Sequence, residues 1–245
     1  MLVMDSIDRE NECDLVISAE HATVELMAFT IKYSTGIVCM VGDAQRMKMF
    51  GLHKATLCNT DANATNFYVA TDYLPNTTTG VSAGDRLNTL KAFADDKARA
   101  EDFSKPGHMF PLAAKPGGVM ERGGHTESAY DLCRFAGLQP VSAIGELMHE
   151  DGNMYRLGDA IEFSKKHSIP IVTVDDLKVY AESFWKARGM TIEDLHAEAS
   201  GSFYGKSVPN GVGPHGSPTQ ERSSHVGKES SEQPAEVLEG HQDLS

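Results

Sequence analysis

The sequence predicts a mixed α/β fold: one compact domain over residues 1–200, with a central mixed sheet flanked by helices, and a disordered C-terminal tail over 201–245. Three observations predict it. Apolar residues recur at helical spacing in some stretches and as short β-branched runs in others, with no internal repeat. Glycine and proline punctuate these stretches as they do between elements. The chain has 245 residues, 40% of them hydrophobic, enough for one sizeable core. After residue 200 the composition turns to Ser, Gly, Pro, Glu and His, which offers little apolar surface to offset ordering entropy.

Taken in order, Leu15-Val16-Ile17 reads as a strand, and Val24, Met27, Ala28 and Ile31 share a helix face that ends at Ser34-Thr35-Gly36. Ile37 to Val41 returns to strand. Asn66 to Thr71, aromatic and β-branched, is expected to be another, with a loop over Pro75 to Gly80 behind it. Ser82 with Asp85 gives a capping-box signal for a helix through Leu87, Leu90 and Ala94. Pro106 to Pro111 reads as a rigid loop. Thr126 opens a helix with Ala129, Leu132, Cys133 and Ala136 on one face, stopped by Gly137. Ile169 to Val174 is a short strand, and Asp175 or Asp176 caps a last long helix carrying Leu177, Tyr180 and Phe184.

Twenty-two basic residues against 35 acidic ones give a net charge of -13, which disfavours nucleic acid or an anionic membrane as the main partner. Any phosphate must therefore be held by a local cationic device. Cys13, Cys39, Cys58 and Cys133 are scattered, with no CxxC pair, which fits a reducing cytosol better than a disulfide framework. No apolar run approaches the roughly 20 residues needed to span a bilayer, and Met1 to Asp5 lacks the features of a signal peptide. A cytoplasmic protein is expected.

Three stretches can carry chemistry. Asp8-Arg9-Glu10-Asn11-Glu12-Cys13-Asp14 places four carboxylates and a guanidinium just before a strand; it is either a solvated turn or a set of oxygen ligands for a hard cation such as magnesium. In Arg122-Gly123-Gly124-His125-Thr126, two glycines let the backbone approach a ligand where a helix begins. Free N–H groups, the helix dipole, the Arg122 fork and the Thr126 hydroxyl then suit a phosphate monoester. His125 between them is a metal ligand or a proton-transfer group, unless the stretch is a plain turn capped by Thr126. Pro106-Gly107-His108 holds a histidine in a fixed direction, as general acid–base work requires, although lone loop histidines are often incidental. Glu146 is a further carboxylate, and Thr77 to Asp85 a loop of the kind that closes over substrates.

In this order the segments DRENECDLVISAE (8–20), MAFTIKYSTGIVC (27–39), TTGVSAGDR (78–86), KPGHMFPL (105–112), GGVMERGGHTESAYDLCRFAGLQP (117–140), GELMHEDGNMYR (145–156) and IPIVTVDDL (169–177) closely resemble the 3,4-dihydroxy-2-butanone 4-phosphate synthase family of riboflavin biosynthesis. The resemblance covers about residues 4 to 188. It implies a magnesium-dependent lyase that converts D-ribulose 5-phosphate to L-3,4-dihydroxy-2-butanone 4-phosphate and formate, working as a homodimer. Glu10 and His125 would ligate a pair of magnesium ions, with manganese as a substitute. Arg9, Asp14, Thr79, Arg122, Gly123, Gly124, His125 and Thr126 would bind substrate, Arg122 and Thr126 taking its phosphate. His108 and Glu146 would be the catalytic acid–base residues, and Glu12 a further carboxylate lining the site.

Two departures from the family pattern bear on these expectations. Members usually carry a helix and a complete strand ahead of the DREN motif, whereas seven residues precede Asp8 here, so a sheet edge or an apolar face is expected to lie uncovered. Cys13 stands where many members have glycine, most simply as a passive small residue. The GTP cyclohydrolase II domain fused to some members has no counterpart in the 201–245 tail. Two rival readings are a truncated or non-catalytic paralogue that binds phosphates or a protein partner without turnover, and an isomerase of a related pentose phosphate.

Overall fold

The computed structural model describes residues 1–200; the expected tail at 201–245 lies outside the described residues. Seven strands form one mixed sheet: β1 (Leu2–Met4), β2 (Cys13–Ser18), β3 (Cys39–Gly42), β4 (Thr71–Tyr73), β5 (Phe103–Ala113), β6 (Ser142–Glu146) and β7 (Ile171–Thr173), in the order β4-β5-β3-β6-β2-β1-β7. The pairs β1–β7 and β3–β5 are parallel and the others antiparallel. Seven α-helices accompany the sheet, with short 3-10 turns at Ala100–Asp102 and Gly118–Met120: α1 (Val24–Tyr33), α2 (Ala44–Met49), α3 (Ala83–Ala94), α4 (His125–Phe135), α5 (Leu157–His167), α6 (Val174–Lys186) and α7 (Ile192–Ala199).

Alternation along the strands sorts the core into layers. Met40 of β3 joins Met27, Met47, Phe50, Leu90 and Phe93 beneath α1, α2 and α3. Its neighbours Cys39 and Val41 point the other way, to Val119, Ala129 and Leu177 under α4 and α6. Likewise Val3 and Val16 face α4 and α6, while Leu2, Met4, Cys13 and Leu15 pack with Phe163 of α5. That alternation also decides the site, because it turns Asp14 and Glu146 to the α4 side with Val16 and Ile144.

The three-residue β1 lies inside the sheet, not at its edge. Leu2, Val3 and Met4 are at most 2% exposed, and burying each such side chain contributes about 1.5–3 kcal/mol, so packing outweighs the short ladder. β1 is therefore not itself an edge strand; the sheet ends beside it at β7, whose three residues are half-buried. An open apolar groove does remain beside β1, bordered by Met1, Leu132, Phe135, Leu138, Leu177 and Tyr180.

Several boundaries differ from expectation. Asn66 to Ala70 makes only isolated bridges, and the strand begins at Thr71, where the expected one ended. The proline-bracketed loop around His108 lies within the 11-residue β5. Helix α4 starts one residue before Thr126, with Gly124 as its N-cap and no side-chain cap, so the turn-with-Thr126-cap reading is replaced. Thr173, not Asp175 or Asp176, caps α6, in a capping box with Asp176. The expected Ser82 cap of α3 is present, its hydroxyl accepting from the Asp85 N–H.

Candidate functional site

The acidic stretch before β2 is organised by a residue that sequence reasoning passed over. Asp5 is buried, and its carboxylate accepts from the N–H groups of Glu10 and Glu12 at 3.2 and 2.9 Å and from the Arg9 guanidinium at 2.7 Å. This curls the chain into a turn, with Asn11 left-handed at φ 54°, and aims Glu10 back over the sheet. Asp14 follows on β2, directly opposite Glu146 in the β2–β6 ladder. His125, the first residue of α4, closes over both, its Nδ1 3.3 Å from Glu10 Oε2 and 3.9 Å from Asp14 Oδ1.

The tautomer of His125 follows from its other nitrogen. Nε2 lies 3.1 Å from the Glu12 carbonyl and must donate to it, which leaves Nδ1 facing carboxylates. A positive charge is needed between them. Burial opposes charge on His125, but Asp14, Glu10 and Asp5 outweigh it and hold its pKa up at about 9. The His125 hydrogen bond, against burial and with help from Arg9, draws Glu10 down to about 2. Asp14 rises to about 6 through burial, and its buried Oδ1 has no hydrogen-bond partner. Ligand atoms of Asp5, Glu10 and His125 lie within 4.8 Å of one another. Oxygen donors with an orphaned carboxylate oxygen alongside suit a hard divalent cation in the proton's place; the imidazole is the less usual member of such a set.

Beside this cluster stands the start of α4. A Cβ on Gly124 would come 2.4 Å from an Arg122 nitrogen and 3.2 Å from one of Arg9, and a Cβ on Gly123 would meet the Lys178 ammonium at 2.9 Å. The paired glycines are thus what lets three cations gather at the helix N-terminus, where unbonded N–H groups already favour an anion. Arg122 is held by the buried Glu127 at 2.5 Å, by the Asn63 carbonyl at 3.1 Å and by the Thr65 hydroxyl at 3.3 Å, while Asn63 also donates to Glu10 at 2.8 Å. Arg9, Glu10, Asp14, Arg122, His125, Thr126 and Glu146 line one cavity of about 230 Å³, with Ile37, Cys39, Phe67, Leu112 and Ile144 as its apolar lining. Burial first, then the charges of Asp14 and Glu10, push the Glu146 carboxyl above the usual carboxylate range.

His108 and Thr79 do not line this cavity. Leu112 does, and His108 lies four residues away along β5, roughly 13 Å at strand rise. His108 belongs instead to a second cluster: its backbone N–H and ring Nδ1 meet Asp72 at 2.8 and 2.6 Å, and the Thr79-Gly80 loop passes over the pair. That loop is pinned by Asp85, which accepts from Thr78 N, Thr78 Oγ1 and Gly80 N and is held down at about 2 chiefly by those bonds from Thr78.

Glu12, expected in the cavity wall, is partly buried beside it, raised by burial and by Glu146. Cys13 is buried against Met4, and burial pushes its thiol up to about 12, as suits a passive packing residue.

Residues 1–180 match the family model described as 3,4-dihydroxy-2-butanone 4-phosphate synthase. The chain is 44% identical over 183 residues to the 3,4-dihydroxy-2-butanone 4-phosphate synthase of Erwinia tasmaniensis, covering 75% of this chain and 84% of that protein. It is 47% identical over 182 residues to the Riboflavin biosynthesis protein RibBA of Aquifex aeolicus, of whose length it spans 45%. Among solved structures, a 3,4-dihydroxy-2-butanone 4-phosphate synthase in complex with two magnesium ions superposes with a TM-score of 0.72 at 35% identity, over 75% of this chain and 90% of that one. The Candida albicans enzyme gives 0.67 at 42% identity, over 74% and 89%. The chain belongs to the 3,4-dihydroxy-2-butanone 4-phosphate synthase family.

Proposed function

We propose that this protein converts D-ribulose 5-phosphate to L-3,4-dihydroxy-2-butanone 4-phosphate and formate, as a step of riboflavin biosynthesis, and that residues 1–200 form the domain responsible. The observation that carries the reading is the meeting of two devices in one cavity. A carboxylate–imidazole set that needs a cation (Glu10, Asp14, His125) stands beside a helix N-terminus that needs an anion (Arg122, Thr126). A phosphorylated ketose has a phosphate for the second and a carbonyl with adjacent hydroxyls for the first.

Arg122, the Thr126 hydroxyl and the free N–H groups of α4 would hold the phosphate, and Gly123 and Gly124 give it room; Arg9 and Asp14 would take the sugar hydroxyls, with Thr79 on the loop that passes over His108. Glu10 and His125 would hold magnesium, two ions per site, with manganese able to replace it. What the metal supplies when bound is polarisation of the ketone oxygen and a sink for enediolate charge. Glu146, with its raised affinity for a proton, can donate to a departing hydroxyl, and His108 can take the proton that enolisation releases. The sequence of enolisation, loss of water, joining of C3 to C5 and expulsion of C4 as formate regains the water it loses.

Because His108 stands up-strand of the cavity, the same reading requires a homodimer in which the His108 cluster of one copy meets the cavity of the other. No helix among the described residues is long and apolar enough to cross a membrane, and we place the enzyme in the cytosol. A non-catalytic paralogue would have no use for both devices together.

The test is release of formate from C4-labelled D-ribulose 5-phosphate with magnesium, followed by carbon NMR. Labelled formate and a four-carbon product are expected. Binding without turnover would move the protein to the paralogue reading, and a five-carbon product to an isomerase.

A further inference from the structure

Outside the cavity, the strongest constellation is the contact between Asp72 and His108. We propose that Asp72 is a positioning residue that fixes the tautomer and direction of His108, leaving Nε2 unprotonated and turned outward; the inference rests on the reading of His108 as a proton-transfer group. One carboxylate oxygen accepts the His108 backbone N–H at 2.8 Å, and the other lies 2.6 Å from Nδ1. A carboxylate can only accept, so Nδ1 carries the hydrogen. The Asp72 side chain is 10% exposed and the His108 side chain 49%, so the acid is locked while the ring reaches solvent.

The backbone is shaped for this contact. The β4–β5 ladder pairs Thr71 with Met109 but the next residue, Asp72, with Ser104, so Lys105 to His108 bulge out and fold back onto Asp72. At the base of the bulge, a Cβ on Gly107 would lie 2.2 to 2.3 Å from the backbone of Thr71 and Asp72, so only glycine allows the approach. Above the pair, Gly80 has φ +87°, and a Cβ there would fall 2.1 Å from Asp72 Oδ2 and 2.7 Å from His108 Nδ1. Two glycines from two loops therefore enclose one acid–imidazole contact. A salt bridge serving stability alone does not require both of them.

Asp72→Asn provides a sharp test, because an amide has one acceptor. That oxygen must stay on the His108 backbone N–H, which places the NH2 group against Nδ1, strips its hydrogen and moves the proton to Nε2. Two-bond 1H–15N spectra of histidine-labelled protein, with His108→Gln to assign the signals, read the tautomer without any assay. The wild type should show hydrogen on Nδ1 and Asp72→Asn hydrogen on Nε2. Turnover of Asp72→Asn should fall on the order of 10²-fold with KM changed less than about threefold, and Asp72→Glu should recover part of it. Hydrogen on Nε2 in the wild type overturns the inference even if Asp72→Asn does not fold. So does an unchanged tautomer in Asp72→Asn, or full turnover in that variant while His108→Gln is inactive. A fully active His108→Gln would refute the acid–base reading of His108 and leave the tautomer result to judge Asp72.

Discussion

The cavity around Glu10, His125 and Arg122 and the cluster around Asp72 and His108 use the same residue types in opposite ways. In the cavity, carboxylates exceed their partners: Asp14 Oδ1 is orphaned, and His125 has to be held cationic by three carboxylates. Around His108, one acid meets one histidine through two bonds, to its backbone N–H and to its ring, and the loop above is pinned by a second acid. An over-supplied site gains from importing ions, because its carboxylates are already partly desolvated and a countercharge offsets that cost. A balanced pair imports nothing and instead holds one side chain still.

The largest expected effect lies in the first region. Glu10→Gln should reduce metal-dependent formate release below detection while far-UV circular dichroism stays unchanged; wild-type turnover in that variant would contradict the ligand role of Glu10. Next, Glu127→Ala removes the buried partner of Arg122 and should cost about 3 kcal/mol in urea unfolding, as breaking one side of a buried pair does. Inorganic phosphate should then stabilise the variant more than the wild type, by replacing the lost countercharge. An equal response would separate Arg122 from phosphate binding.

Effects in the second region are smaller. Asp85 has a pKa of about 2 in the folded chain against an ordinary 3.8, so the stability its ionised form contributes is present above about pH 4 and lost as pH falls toward 2. The difference in unfolding midpoint between wild type and Asp85→Asn should accordingly shrink over that interval; a constant difference would mean that the loop is held by packing. Smallest of all, removal of residues 205–245 should leave the catalytic rate within about twofold, since the charged groups of both regions lie elsewhere. A large loss would add the tail to the comparison.

Legibility in the sequence tracked locality. The Arg122-Gly-Gly-His125-Thr126 device was readable because its parts are consecutive and a helix start is a local event, although the cap moved from Thr126 to Gly124. Asp5, Asp72 and Glu127 escaped notice. Each is a lone acid whose role lies in a partner: four to seven residues away for Asp5, five for Glu127, and across a strand pair 36 residues distant for Asp72. Only Glu127 left a trace, as an acid in the first turn of a helix just after an arginine. The Asn66 to Thr71 strand was misplaced because β-branched composition marks a fit to a pleated surface, while ladder position is set by the partner β5 and its bulge.

Local chemistry, then, was enough to name the fold class, the family resemblance and most of the charged side chains that line the cavity, because periodicity, capping and motif spacing act within a few residues. Which of those side chains share a cavity was settled by the sheet order, which puts Asp14 opposite Glu146 and seats α4 over both while His108 lies up-strand. Pairings over more than a hundred residues are chosen by the burial of whole faces at once, and no short stretch of chain carries that information.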